Sequence, residues 1–161
     1  MKLKETFTYT GIDVEAVYKL ITDQAFRLES AENQGSRDID ISVEGAADAA
    51  TIVIVRTQDS DMPDFVKKLT GNDVKVRQTE VWGEADAAGT RTADVKVSII
   101  GQPAEMVGVA SLSRTADGTD FTLEGDVKVS IPFLGKKIEP EVAKAIRGSL
   151  REEVEYGMTK L

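Results

Sequence analysis

The 161-residue sequence contains no cysteine and no histidine, and these two absences limit its chemistry. Without cysteine there is no disulfide framework and no thiolate nucleophile. Without histidine the chain lacks the commonest general base and the commonest imidazole ligand of metals. Any acid–base chemistry must therefore use Asp, Glu, Lys or Tyr, and we expect neither a metal nor a cofactor.

Long apolar runs and an excess of positive charge are missing as well. No segment approaches the roughly 20 apolar residues of a membrane-spanning helix. The alternating start, MKLKETFTYT, has no apolar core of a signal peptide. The net charge of −8 disfavours nucleic acid and anionic membranes, because both attract basic patches. We therefore expect a cytoplasmic protein with no nucleic-acid partner and no stable membrane insertion.

Alternating apolar and polar residues predict six strands, and a nearly continuous β-branched run over 51–57 predicts a seventh. The predicted strands are 2–9, 38–43, 51–57, 74–84, 91–99, 104–113 and 119–131. A loop of Gly, Ala and Asp joins the second and third segments. Turn residues at 86–89, 101–103 and 117–118 are typical of hairpins between the later strands. With 41% apolar residues, the chain predicts one domain over 1–161, built on an antiparallel meander with one wet face.

Two short amphipathic helices are predicted between the first and second strands. One carries Val14, Val17, Tyr18 and Ile21 at helical spacing, with Thr10 or Asp13 as N-cap, and the other carries Ala25, Phe26 and Leu28. A third short helix is predicted over 61–71, from the spacing of Met62, Phe65, Val66 and Leu69 and from Asp61 as N-cap. This third helix either closes one end of the sheet or forms a mobile lid over a pocket.

A long helix follows the last strand, with Pro140 near its start and an apolar stripe that steps by four residues. The stripe consists of Ile138, Val142, Ile146, Leu150, Val154 and Met158, and its flank of Ala145, Ser149 and Glu153. The inward face of the sheet is the large apolar surface against which such a stripe can pack. A curved sheet wrapped around the helix leaves a gap wherever the fit is imperfect, and that gap is an apolar pocket.

Three stretches carry a resemblance to a known superfamily: VRQTEVW (76–82), GQPAEMVGVASL (101–112) and VKVSIPFLGKKIEPEV (127–142). With the order of elements, they resemble the helix-grip fold of the START and birch-pollen-allergen superfamily (SRPBCC). Within it they are similar to an actinobacterial family of unknown function. The resemblance implies an α+β fold, in which a strongly curved seven-stranded antiparallel sheet wraps around a long C-terminal helix. It also implies a cavity, because superfamily members bind lipids, sterols, polyketides or plant hormones, and others are cyclases, ring-hydroxylase subunits or chaperone cofactors.

Polar residues with inward parity are the candidates for orienting a ligand, unless they pair with Lys or Arg near the ends of the sheet. Glu5, Gln78, Glu80 and Ser149 have this parity, and Glu153 lies at the edge of the helix stripe. Trp82 and Phe121 are expected to face the interior, in the core or beside the pocket. The predicted ligand-binding residues are Val142, Ile146, Ser149, Leu150, Glu153, Gln78, Glu80, Trp82, Phe121, Met62, Phe65 and Leu69.

The sequence predicts a binding protein for a hydrophobic small molecule or lipid, lipid-like or polyketide-like in character. One alternative is a protein-interaction module with a filled core and an exposed apolar patch at 62–69. Another is an enzyme in which Glu80 and Glu153 converge as an acid–base pair. No catalytic residue and no metal ligand is assigned, since Asp38 and Asp40 alternate onto the wet face. We expect a monomer or a weak dimer, with a protein partner left open.

Overall fold

Seven antiparallel strands form one curved sheet, and a long C-terminal helix lies against it. The computed structural model describes residues 1–45 and 48–161. Its elements are β1 (Lys2–Thr10), α1 (Val14–Ile21), α2 (Gln24–Asn33), β2 (Arg37–Gly45), β3 (Ala50–Asp59), α3 (Asp64–Thr70), β4 (Asp73–Trp82), β5 (Arg91–Ile99), β6 (Ala104–Thr115), β7 (Gly118–Val129) and α4 (Gly135–Met158). The strand order is β1-β7-β6-β5-β4-β3-β2. The predicted helix-grip architecture is confirmed, while the loop predicted after β2 includes residues 46 and 47, outside the described ranges.

The strands pair in a register that keeps one apolar row on the inner face. In β6 and β7, Met106 lies opposite Val127 and Leu112 lies opposite Phe121. All four of these side chains are buried. Because strand side chains alternate between faces, the neighbours of these residues reach the outer face. The sheet therefore has a single apolar face, and α4 packs on that face.

The two helices after β1 have the predicted locations, but α2 turns a different face inward. Asp13 caps α1 by accepting a hydrogen bond of 2.8 Å from the Ala16 N–H, whereas Leu28 of α2 is 41% exposed. The buried residues of α2 are Phe26, Arg27, Ser30 and Ala31. The spacing of these four residues is that of one helix face, so the apolar Leu28 points away and the charged Arg27 points in.

The start of α4 lies earlier than the sequence predicted. Pro140 favours a start beside it, because proline is best tolerated in the first turn. In the structure α4 begins at Gly135, and Pro140 lies inside the helix. Glu139 ties this start to the sheet by accepting a hydrogen bond of 3.1 Å from the Val129 N–H. The junction after β7 thereby sets the direction in which α4 crosses the sheet.

Candidate ligand-binding site

A cavity of about 530 Å³ lies between the inner face of the sheet and α4. Apolar side chains that line it include Val95, Val97, Ile99, Met106, Ala110, Phe121 and Leu123 from the sheet and Ile138, Val142, Ile146 and Leu150 from α4. Ile146 and Leu150 are only partly buried, although Val142 and Val154 of the same stripe are buried. The middle of the helix therefore stands off the sheet, and this separation creates the cavity.

One end of the cavity is bordered by α3 and the segment before it. Met62, Val66, Leu69 and Thr70 line the cavity there. Leu69 is also 43% exposed, so this end lies close to the protein surface. The helix predicted over 61–71 thus contacts the cavity, and whether it moves as a lid stays a prediction.

Phe65 does not line the cavity, although the sequence placed it in the ligand-binding set. Its side chain is 39% exposed, and its ring lies 5.8 Å from Lys137 Nζ. The helix begins at Asp64 after Pro63, rather than after the predicted Asp61 cap. Val66, Leu69 and Thr70 share the face of α3 that lines the cavity, and Phe65 lies about 100° away from Val66 around the helix axis. Val66 is the residue that α3 buries.

The opposite side of the cavity contains a buried ionic cluster, which we call the Arg27 cluster (Arg27, Glu80 and Glu153). Arg27 Nη2 lies 2.6 Å from Glu80 Oε2, and Nη1 lies 3.2 Å from Glu80 Oε1. Arg27 Nε lies 3.0 Å from Glu153 Oε1. The two carboxylates predicted as a possible pair do converge, but one guanidinium lies between them. This geometry is that of a bidentate ion pair with a second carboxylate attached.

Further hydrogen bonds hold Glu80 in place. Gln78 Nε2 donates to Glu80 Oε2 at 2.6 Å, and Trp82 Nε1 donates to Glu80 Oε1 at 2.9 Å. Trp82 is 1% exposed and is not among the residues that line the cavity. Its ring also packs edge-on against Tyr18, with ring centres 6.2 Å apart. Its observed contacts are therefore with the core and with Glu80.

The surroundings give the two glutamates opposite pKa shifts. Burial raises the pKa of Glu80, but the charge of Arg27 and the hydrogen bonds it receives outweigh burial and leave its pKa below the ordinary value. Burial raises the pKa of Glu153, and the neighbouring Glu80 adds to the rise against the opposing charge of Arg27. For Arg27, burial lowers the pKa, yet the two carboxylates together raise it. The cluster thus has one firmly ionised glutamate and one that binds a proton more readily.

A second buried arginine lies on the cavity wall, and we call its surroundings the Arg56 site (Arg56, Gln34 and Ser149). Arg56 Nη2 donates to Ser149 Oγ at 3.0 Å, and Nη1 is 3.4 Å from Gln34 Oε1. Ser149 Oγ in turn donates to Gln34 Oε1 at 2.8 Å. Arg56 is 8% exposed. Among residues 1–45 and 48–161, its buried Nε has no hydrogen-bond partner, and no carboxylate forms an ion pair with it.

The predicted ligand-binding residues other than Trp82 and Phe65 border the cavity. They are Val142, Ile146, Ser149, Leu150, Glu153, Gln78, Glu80, Phe121, Met62 and Leu69. Their contact with a ligand stays a prediction. Glu5, a further inward-parity candidate, is away from the cavity and forms an ion pair with Arg147.

Sequence reasoning missed both arginines of the site, for two different reasons. Arg56 shares strand parity with the buried Ile52 and Ile54, so a strict period of two would have placed it inside. The run 51–57 is nearly continuously β-branched, and this composition hides its parity. Arg27 follows Phe26 on a helix, and the neighbouring Leu28 favoured a different face. The face that α2 buries depends on its packing against the sheet, which is not encoded locally.

Comparison with known proteins places the chain in a family. The family described as "Protein of unknown function (DUF2505)" matches residues 4–161. The chain belongs to this family. Uncharacterized proteins of Mycobacterium tuberculosis and Mycobacterium bovis are 34% identical to it over 98 residues, which are 60% of this chain and 55% of the relatives. The chain thus matches about half the length of these mycobacterial relatives.

Several solved structures share the fold of this chain at low sequence identity. Ara h 8.0201 has a TM-score of 0.60 at 16% identity, covering 99% of this chain and 98% of that one. A STAR-related lipid transfer protein of Xanthomonas axonopodis has a TM-score of 0.56 at 16% identity, covering 97% and 82%. The Zhui aromatase/cyclase of a Streptomyces species has a TM-score of 0.62 at 10% identity, covering 99% and 92%. The DUF2505 chain therefore has the START-like helix-grip fold. Within its described residues, no helix is both long and apolar enough to cross a membrane.

Proposed function

We propose that this protein binds an apolar or amphipathic small molecule, lipid-like or polyketide-like, in the cavity between the sheet and α4. The supporting observation is the cavity itself, because its volume of about 530 Å³ lies within the range of small-molecule sites, ~300–1,000 Å³. Its wall is mostly aliphatic, so burial of apolar ligand surface would drive binding at about 25 cal/mol per Å². The buried polar groups of the wall include Arg27, Glu80 and Arg56, which would orient one end of the ligand.

The two alternatives have less support. A protein-interaction module with a filled core does not fit a cavity of this size. A carboxylate-dependent enzyme needs an acid and a base free to reach a substrate. Glu80 and Glu153 instead share Arg27 as a partner. A cytoplasmic location, a monomer or weak dimer, and a protein partner all stay predictions.

A fluorescence titration with the neutral probe N-phenyl-1-naphthylamine tests the proposal. Val97→Trp should fill the cavity, since Val97 lies on its wall. Val107→Trp is the matched control, because Val107 lies on the outer face of the neighbouring strand and is 52% exposed. We expect the wild type and Val107→Trp to bind the probe in a saturable manner and Val97→Trp to lose binding. Absence of saturable binding to the wild type, or equal binding by both variants, would contradict a cavity ligand.

A further inference from the structure

The two arginines on the cavity wall differ in their partners. Arg27 has two carboxylates for one guanidinium. Among the described residues, the side chain of Arg56 has neutral hydrogen-bond partners, the amide oxygen of Gln34 and the hydroxyl of Ser149. A guanidinium carries five N–H donors, and a buried charge is stable when it is paired and fully hydrogen-bonded. In the described chain, Arg56 therefore combines a buried positive charge, an unused Nε–H and an adjacent cavity.

We infer that Arg56 binds the carboxylate of an acidic amphiphile whose apolar chain fills the cavity. This inference rests on the proposed function and specifies the class of ligand. The fork of N–H groups on a guanidinium matches the two oxygens of a carboxylate, and such pairs are strong when water is excluded. The hydroxyl of Ser149 and the amide of Gln34 lie beside Arg56 and can adjust their hydrogen bonds to the bound group.

The charges around the site favour a singly charged group over phosphate. Glu80 and Glu153 also face this side of the cavity, and Glu152 lies on its rim. A phosphate would bring up to two negative charges close to these carboxylates, and like charges at short range repel. A carboxylate brings one charge, which the charge of Arg56 compensates. The single guanidinium thus matches a monoanion.

The shape of the cavity provides room for an unbranched chain. The lining residues Ile138, Val142 and Ile146 follow one another along α4 away from Ser149. From Ser149 back to Ile138, α4 advances about 16 Å at 1.5 Å per residue. Val97 and Ile99 face this part of the helix across the cavity. An acyl chain that starts at Arg56 would therefore lie between α4 and β5, with its end towards α3.

Competition between N-phenyl-1-naphthylamine and two ligands of equal chain length tests the inference. Dodecanoic acid and dodecan-1-ol differ in the head group. We expect the wild type to bind the acid at least about tenfold more tightly, as hydrogen bonds to charged groups imply. Arg56→Gln should bring the ratio of the two affinities close to one while dodecan-1-ol still binds. Arg56→Lys should keep part of the preference, because it keeps the charge but loses the planar fork.

Two further variants separate the effect of Arg56 from that of the other charges around the cavity. Lys144→Gln is the matched control, since Lys144 is an exposed cation that also borders the cavity. It should keep the preference for the acid, whereas Glu153→Gln should increase it by removing a nearby negative charge. Equal binding of acid and alcohol by the wild type, or a preference lost in Lys144→Gln and kept in Arg56→Gln, would overturn the inference. Failure of both ligands and of the probe to bind would instead overturn the proposed function.

Discussion

The Arg27 cluster and the Arg56 site lie on the same cavity wall, yet they have opposite properties. The Arg27 cluster is closed: α2, β4 and α4 each contribute one charged group, and the charges pair with one another. The Arg56 site is open, because its cation faces neutral groups and the cavity. Burial of a charge therefore does not by itself define its role. The groups that contact a buried charge define its role. On this basis we assign stability to the Arg27 cluster and ligand binding to the Arg56 site.

Removing each arginine in turn should give the largest contrast. Arg27→Met leaves Glu80 and Glu153 buried without a cation, and breaking a buried ion pair in this way typically lowers the free energy of unfolding by about 3–5 kcal/mol. Arg56→Met removes a buried charge that forms no ion pair within residues 1–45 and 48–161, and Gln34 and Ser149 can still bond to each other. It should therefore leave stability unchanged or raise it. Urea denaturation followed by circular dichroism measures the free energy of unfolding of both variants. Equal losses of stability in the two variants would contradict the different roles of the Arg27 cluster and the Arg56 site.

The two glutamates of the Arg27 cluster should respond to pH in opposite directions. The pKa of Glu80 is lowered by folding, so its contribution is present above the ordinary glutamate pKa and is lost as the pH falls through the lowered value. The pKa of Glu153 is raised, so its ionisation opposes folding as the pH rises from the ordinary value to the raised one. Glu80→Gln should lower the free energy of unfolding at pH 7 by about 1.5–3 kcal/mol. Glu153→Gln should cause no loss at pH 7.

Unfolding midpoints measured between pH 3 and pH 8 compare these two variants with the wild type. In Glu80→Gln the loss of stability on acidification should become shallower, because the group that binds the proton is gone. A destabilising Glu153→Gln together with a neutral Glu80→Gln would reverse the assignment.

Two glycines of α4 should give a smaller contrast in stability. Gly148 lies beside the cavity, and Gly157 packs against Leu20, Tyr9 and Phe26. A Cβ on Gly157 would lie 3.2 Å from Leu20 Cδ2 and from Tyr9 Cε1, while a Cβ on Gly148 would meet nothing within 4 Å. Alanine improves helix propensity over glycine by about 1 kcal/mol. Gly148→Ala should therefore raise stability by nearly this amount, and Gly157→Ala should gain less or lose stability through crowding. Thermal unfolding of the two variants side by side measures these changes in stability. A larger gain in stability for Gly157→Ala than for Gly148→Ala would contradict the prediction.

The architecture was predictable from the sequence because it depends on repeated local patterns. Alternation, together with the β-branched run over 51–57, located the strands, and the stripe from Ile138 to Met158 located the gripped helix. The candidate site was only partly predictable. The parity of Glu80 and the stripe-edge position of Glu153 could be inferred one residue at a time. Their common partner Arg27 could not, because it comes from α2, and its direction is set by how that helix packs.

Among the described residues Arg56 forms no ion pair with a carboxylate, and the sequence could not predict this for a related reason. The chain has 28 acidic residues, and no local pattern tells which arginine remains without one of them. Likewise, strand parity placed Trp82 inside correctly, but not whether it faces the cavity or the core. Both questions depend on distances between elements that are far apart in the sequence.

A crystal structure of the protein with dodecanoic acid would show directly whether Arg56 binds the carboxylate of a ligand in the cavity. We expect one acyl chain in the cavity, with its carboxylate oxygens about 3 Å from the guanidinium nitrogens of Arg56 and its tail beside Ile146 and Val142. A fatty acid bound outside the cavity would contradict the proposed ligand site. A fatty acid inside it, but with the carboxylate turned towards Lys144 or α3, would contradict the role of Arg56.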